Sequence, residues 1–83
     1  MTESETTFLG TERFLRHTFT DSGILAFAKY DTVCSLLLVI FHNGTEYEYL
    51  GVSQTTWDEF VTATSAGSYF STVVRKHKHQ RLK

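Results

Sequence analysis

Two tyrosines spaced two residues apart, Tyr47 and Tyr49, and five cations between Arg75 and Lys83 are the groups best suited to hold another molecule. On a strand, that spacing puts both rings on one face. Sheet-mounted aromatics stack nucleobases at about 1–3 kcal/mol per base. The cations Arg75, Lys76, Lys78, Arg81 and Lys83 can track a phosphate backbone. Contacts from all five to a single strand predict a log–log salt slope of about −3.5, from roughly 0.7 per phosphate. Two plainer readings compete. Tyrosines beneath helices are ordinarily core with the hydroxyl at the rim, and positive charge at a helix C-terminus complements its dipole.

Catalytic chemistry has thinner support. Ser65, Ser68, Asp58 and Glu59 cluster near an expected helix junction, where caps and solvated first-turn acids account for all four. A nucleophile needs a base held at hydrogen-bond distance and oriented by a third group, and no spacing here supplies that set. Gly67 with Ser68 makes a weak anion cradle. His77 and His79 lack a third metal ligand nearby in sequence. Cys34 reads as an inert small residue, and His17 and His42 need no special role. The expectation is a chain with no enzyme activity, metal or cofactor.

With 83 residues the chain is one domain, near the lower end of what folds alone, and 41% hydrophobic content suffices for a core. A lone cysteine excludes an intramolecular disulfide. The acidic, polar N-terminus is the reverse of a signal peptide. The longest apolar run, Leu36 to Phe41, is too short to span a bilayer. A cytoplasmic protein, away from membranes and without a small-molecule substrate, is expected. The net charge of −1 hides an asymmetry: residues 1–74 carry three basic and nine acidic side chains, whereas residues 75–83 carry five basic and none acidic. That pattern suggests an acidic body with a cationic arm.

The elements that must position these groups follow from periodicity. Residues 1–7 read as disordered, and a short helix is expected over Thr11 to Arg16, with Thr11 as its cap, although Thr18 and Thr20 favour extended structure. Gly23–Tyr30 and Ser35–His42 read as strands separated by a turn at Asp31-Thr32. Asn43-Gly44 signals a type I′ hairpin turn, leading to a third strand from Thr45 to Leu50. Ser53, or alternatively Thr55 or Thr56, caps a helix carrying Trp57, Phe60 and Val61, with Asp58 and Glu59 in its first turn. Gly67 stops that helix. Ser68 caps a second, with Tyr69, Phe70, Val73 and Val74 on its apolar side. The fold class is α+β: a three-stranded antiparallel meander followed by two short packed helices.

The middle strand poses a question of its own. If Leu37, Val39 and Phe41 face the helices, then Leu36, Leu38 and Ile40 face outward and leave that face as apolar as the core. Either the N-terminal segment with Phe8, Phe14, Leu15 and Phe19 covers it, or a second subunit or partner does.

In this order and spacing, Ile24, Tyr30, Leu37, Val39, Phe41, Asn43-Gly44, Tyr47-Glu48-Tyr49, Gly51-Val52, Ala63, Ser65, Gly67 and Tyr69-Phe70 resemble the KTSC family. This short domain is also found at the C-terminus of some lysyl-tRNA synthetases. The resemblance runs from Ser22 to about Arg75. Ser53 departs from a common proline, and Ala66 from a common lysine, which removes a positive charge from the helix junction. The family's function is unsettled; its association with a tRNA-charging enzyme implies RNA binding by analogy.

The chain thus divides into an N-terminal extension (1–21), a KTSC-like domain (22–75) and a basic tail (76–83). The leading expectation is a non-catalytic module binding nucleic acid, preferably RNA. Arg75, Lys76, Lys78, Arg81 and Lys83 would carry it, with Lys29 and the edges of Tyr47 and Tyr49 assisting. The alternative is a protein-interaction or homodimerisation module using Leu36, Leu38 and Ile40. Size alone also suits an accessory protein of a phage or mobile element that engages a host factor.

Overall fold

A computed structural model describes residues 12–83. Five strands, β1 (Phe14–Thr18), β2 (Leu25–Asp31), β3 (Leu36–Phe41), β4 (Glu46–Tyr49) and β5 (His79–Arg81), form one sheet in sequence order, antiparallel throughout. Helices α1 (Gln54–Thr62) and α2 (Ala66–Thr72), with a 3-10 turn at Val74–Lys76, intervene between β4 and β5 and pack on one face. The α+β class stands, but the sheet has five strands where three were expected.

Both additional strands lie at the sheet's margins. The helix expected over Thr11–Arg16 is replaced by β1, whose residues alternate across the pleat. Leu15 pairs with Tyr30 and His17 with Ala28 on the helix side, while Phe14, Arg16 and Thr18 point to the outer side. At the other margin the basic segment adds β5 to β4, pairing Tyr49 with His79, Glu48 with Gln80 and Tyr47 with Arg81. None of the β5 residues is buried. Backbone hydrogen bonds hold this segment, because β4 would otherwise present an unpaired edge. Leu50 N donates to Lys78 O at 2.8 Å and Leu82 N to Glu46 O at 2.7 Å.

The turns depart from the sequence expectation in instructive ways. The β2–β3 turn spans Thr32–Ser35 rather than Asp31-Thr32, and Ser35 takes a left-handed φ of 57°. Asp31 organises it: Oδ1 accepts from the N–H groups of Val33 (2.9 Å) and Cys34 (3.2 Å). Arg13 grips the same carboxylate as a fork, Nε to Oδ1 at 3.0 Å and Nη2 to Oδ2 at 2.9 Å. In the β3–β4 hairpin only Gly44 has positive φ (91°), so the turn is not type I′. Gly44 N donates to Phe41 O, and Asn43 Oδ1 accepts from Thr45 N at 3.0 Å. The asparagine side chain satisfies the backbone locally, and glycine absorbs the left-handed residue that follows.

Ser53 caps α1 as expected, its Oγ accepting from Thr56 N at 3.2 Å. Asp58 and Glu59, however, fall beyond the first turn. The helix stops at extended Ala63, and Gly67 lies inside α2, whose cap is Ser65 rather than Ser68. Serine wins the junction because its Oγ accepts the otherwise unpartnered Ser68 N–H at 3.3 Å.

The core fills the space between helices and sheet. Tyr30, Leu25, Leu37, Val39, Val52, Phe60 and Val74 are fully buried, each contributing about 1.5–3 kcal/mol of apolar transfer. The Tyr30 ring stacks on Trp57 at 5.7 Å, and Phe70 meets Phe41 and Tyr49 edge-on. Phe19 is buried against Phe60, so it belongs to the inner core and not to a cover for the outer face. Leu15 is likewise inner. Phe8 lies outside the described residues.

Candidate nucleic-acid interface

The β4 alternation places Tyr47 and Tyr49 on the helix side of the sheet, stacked on each other at 6.3 Å. They are not equivalent. Tyr49 sits under Phe70 and is 3% exposed, a core residue whose phenol burial pushes up to about 12, with Tyr47 adding to the rise and Arg75 opposing it. Tyr47, one register position further from the helices, is half-buried. The exposed His79 ring leans over both, 5.8 Å from Tyr47 and 5.3 Å from Tyr49. Tyr47, Tyr49 and His79 thus form an aromatic shelf where the sheet runs out past the helices.

Charge surrounds this shelf asymmetrically. Arg81 pairs across from Tyr47 and so shares its face. Arg75, in the 3-10 turn, is near enough to Tyr49 for its charge to act on the phenol. Lys76, Lys78 and Lys83 are exposed along the same segment. Among the described residues the side-chain ion pair is Arg13–Asp31, and Arg81 Nε donates to Lys83 O at 3.1 Å. Glu46 and Glu48 alternate to the outer side of β4, away from the tyrosines, and Gln80 Nε2 donates to Glu48 there at 2.9 Å. The pleat thereby separates the acidic residues of β4 from the aromatic ones.

Of the eight residues expected to contact nucleic acid, the structure brings Tyr47, Tyr49, Arg75 and Arg81 together. Lys29 goes elsewhere: it pairs with Leu38 and Arg16 on the outer side, its Nζ 5.1 Å from the Phe14 ring centroid. It does not belong to the shelf, and Tyr49 contributes a largely covered ring. His79 was missed. Its signal was the strand parity it shares with Arg81, legible only once β5 is known to pair with β4.

The outer face gathers Leu36, Leu38 and Ile40 from β3, all half-buried, with Phe14, Phe27 and Lys29 beside them. Phe14, Lys29, Asp31, Leu36, Leu38, Glu48 and Leu82 line a shallow depression of about 240 Å³. Both helices lie on the opposite side. At the far end of the molecule a cleft of about 460 Å³ opens between the β1–β2 connection and the α1–α2 junction. His17, Asp21, Ser22 and Ser65 line it, but the two serine hydroxyls serve the backbone. Ser22 Oγ accepts from Leu25 N at 3.0 Å, and Ser65 Oγ caps α2. His17 packs edge-on to Phe19 at 4.7 Å. Ser68 Oγ meets Ser65 Oγ, and Glu59 accepts from the Tyr69 hydroxyl at 2.7 Å. No group of three His, Cys, Asp or Glu residues among those described could hold a metal ion. No described helix is long and apolar enough to cross a membrane.

A five-stranded antiparallel meander with two short helices on one face defines a small α+β domain. The KTSC domain family model matches residues 21–77, well over half of the chain, which therefore belongs to the KTSC domain family. The fold is similar to the crystal structure of the KTSC domain protein YPO2434 from Yersinia pestis, with 26% identity and a TM-score of 0.75. The likeness covers 84% of this chain and 99% of that one. No curated protein matches the sequence.

Proposed function

We propose that this KTSC domain is a binding module without catalytic activity of its own, and that it takes single-stranded nucleic acid, preferably RNA, along the β4–β5 edge. The observation that carries this reading is the Tyr47–His79 shelf bordered by Arg75 and Arg81. A base stacks on the half-exposed Tyr47 and His79 rings, while the guanidiniums and the neighbouring lysines meet phosphates on either side. Placement of Glu46 and Glu48 on the other sheet face keeps the carboxylates of β4 itself from opposing a polyanion at this edge.

The test is fluorescence anisotropy with a labelled single-stranded oligouridine at several salt concentrations. Engagement of Arg75, Lys76 and Arg81 gives a log–log salt slope of about −2, at roughly 0.7 per phosphate. Tyr47→Ala weakens binding by about 1–3 kcal/mol. A dissociation constant above about 1 mM at low salt, or affinity indifferent to salt, would remove the reading.

A further inference from the structure

The outer sheet face is self-complementary in charge, and we infer that a second copy of this chain docks on it, sheet against sheet, about a two-fold axis parallel to β3. The register sets one row of side chains straight across that face: Arg16, Lys29, Leu38, Glu48 and Gln80, contributed by β1 to β5 in order. The row is cationic on one flank, apolar at its centre and acidic on the other. Leu36 and Ile40 extend the apolar centre along β3 to either side of Leu38.

Two-fold axes lying between the sheets differ sharply in what they bring together. An axis parallel to the strands through Leu38 exchanges left and right. It lays β3 on β3, β2 on the second copy's β4, and β1 on its β5. Leu38 then meets Leu38, and each Lys29 lies against Glu48 of the second copy, so this pair occurs twice. An axis along the row would instead set Lys29 on Lys29 and Glu48 on Glu48. Like charges facing across an interface disfavour that arrangement, so the charge pattern selects one register as well as permitting docking. Aligned sheets cross at about 30°, so the match is closest in the row nearest the axis, where these charges stand. The depression between Lys29, Leu38 and Glu48 provides room for the opposing Leu38.

The inference concerns the opposite face from the proposed RNA edge and does not depend on it. Light scattering after size exclusion, from about 10 µM to about 500 µM full-length chain, should show a dimer that forms with rising concentration, as befits a modest interface. Leu38→Asp abolishes it. Lys29→Glu and Glu48→Lys each raise the dissociation constant at least about tenfold, and the double exchange restores it. Lys29→Gln and Glu48→Gln, which remove charge without reversing it, keep the test open should a reversal unfold the chain. Each weakens the dimer, and the pair together weakens it no more than either alone. A strictly monomeric chain throughout that range overturns the inference, whether its own residues 1–11 or nothing covers the face. So does a dimer indifferent to Lys29→Glu, or one that the charge exchange fails to restore.

Discussion

The hydroxyl of Tyr30, on the second strand, donates to the main-chain carbonyl of Val52, in the connection from β4 to α1. Both residues are buried, Tyr30 at 1% exposure. This bond fixes where the chain leaves the sheet and therefore where α1 lands; the Tyr30 ring then stacks on Trp57 of that helix. Tyr30→Phe keeps the stack but strands a buried carbonyl, at a cost of about 1–3 kcal/mol. Urea denaturation should show a lowered midpoint with an unchanged slope. A variant as stable as the parent would mean that the carbonyl has another partner.

Acid sensitivity should centre on Asp31. Hydrogen bonds from Arg13, then from the Cys34 and Val33 amides, hold its carboxyl well below the usual carboxylate range, against the opposing effect of burial. A depressed folded-state pKa contributes stability that is fully present above the unfolded value, near pH 4. That contribution is lost as pH falls towards the folded value. Unfolding measured from about pH 6 down to about pH 2 should therefore be steeper for the parent than for Asp31→Asn below about pH 4. Parallel profiles would show that the Arg13 fork stabilises nothing.

Two glycines should respond in opposite directions. Gly67 lies in α2 without positive φ, and an added Cβ meets only Ile24 Cδ1 at 4.0 Å. Gly67→Ala should stabilise the fold by up to about 1 kcal/mol through helix propensity. Gly44 has open space around it but a φ of 91°, so Gly44→Ala should destabilise by about 1–2 kcal/mol. Thermal melts of the two variants distinguish backbone strain from crowding.

Opposite sheet faces also separate two cations that sequence treats alike. Arg81→Ala should weaken oligouridine binding and reduce the salt slope by about 0.7, whereas Lys29→Ala should leave both unchanged. Equal losses from the two would put the nucleic acid somewhere other than the Tyr47 shelf.

The centre of this protein was legible from local pattern. Alternation through Gly23–Tyr30 and Ser35–His42, the Asn43-Gly44 turn and the Ser53 cap mark β2, β3, β4 and α1, because each signal acts between residues close in the chain. The same alternation placed Leu36, Leu38 and Ile40 on the outer side. The helix junction was misjudged by a few residues because Ser65 and Ser68 are both competent caps, and the choice between them depends on how α2 packs through Phe70. Cross-strand neighbours outside the chain's local order, such as the Arg13 grip on Asp31, left no mark at all.

By itself the sequence determined the inner meander, the helical pair and the two faces of β3 and β4, since side-chain parity and capping are properties of short segments. In β2 an irregularity between Leu25 and Phe27 resets the parity, burying Leu25 and leaving Ile24 exposed. Only the tertiary structure decided that Phe14–Thr18 and His79–Arg81 become strands. Neither has a strong intrinsic preference, and each is held by backbone hydrogen bonds to a neighbouring strand. That docking turned an expected basic tail into the edge that carries His79 and Arg81 beside Tyr47. Parity is written locally, but which edge a segment joins depends on which unpaired backbone groups the rest of the fold leaves open.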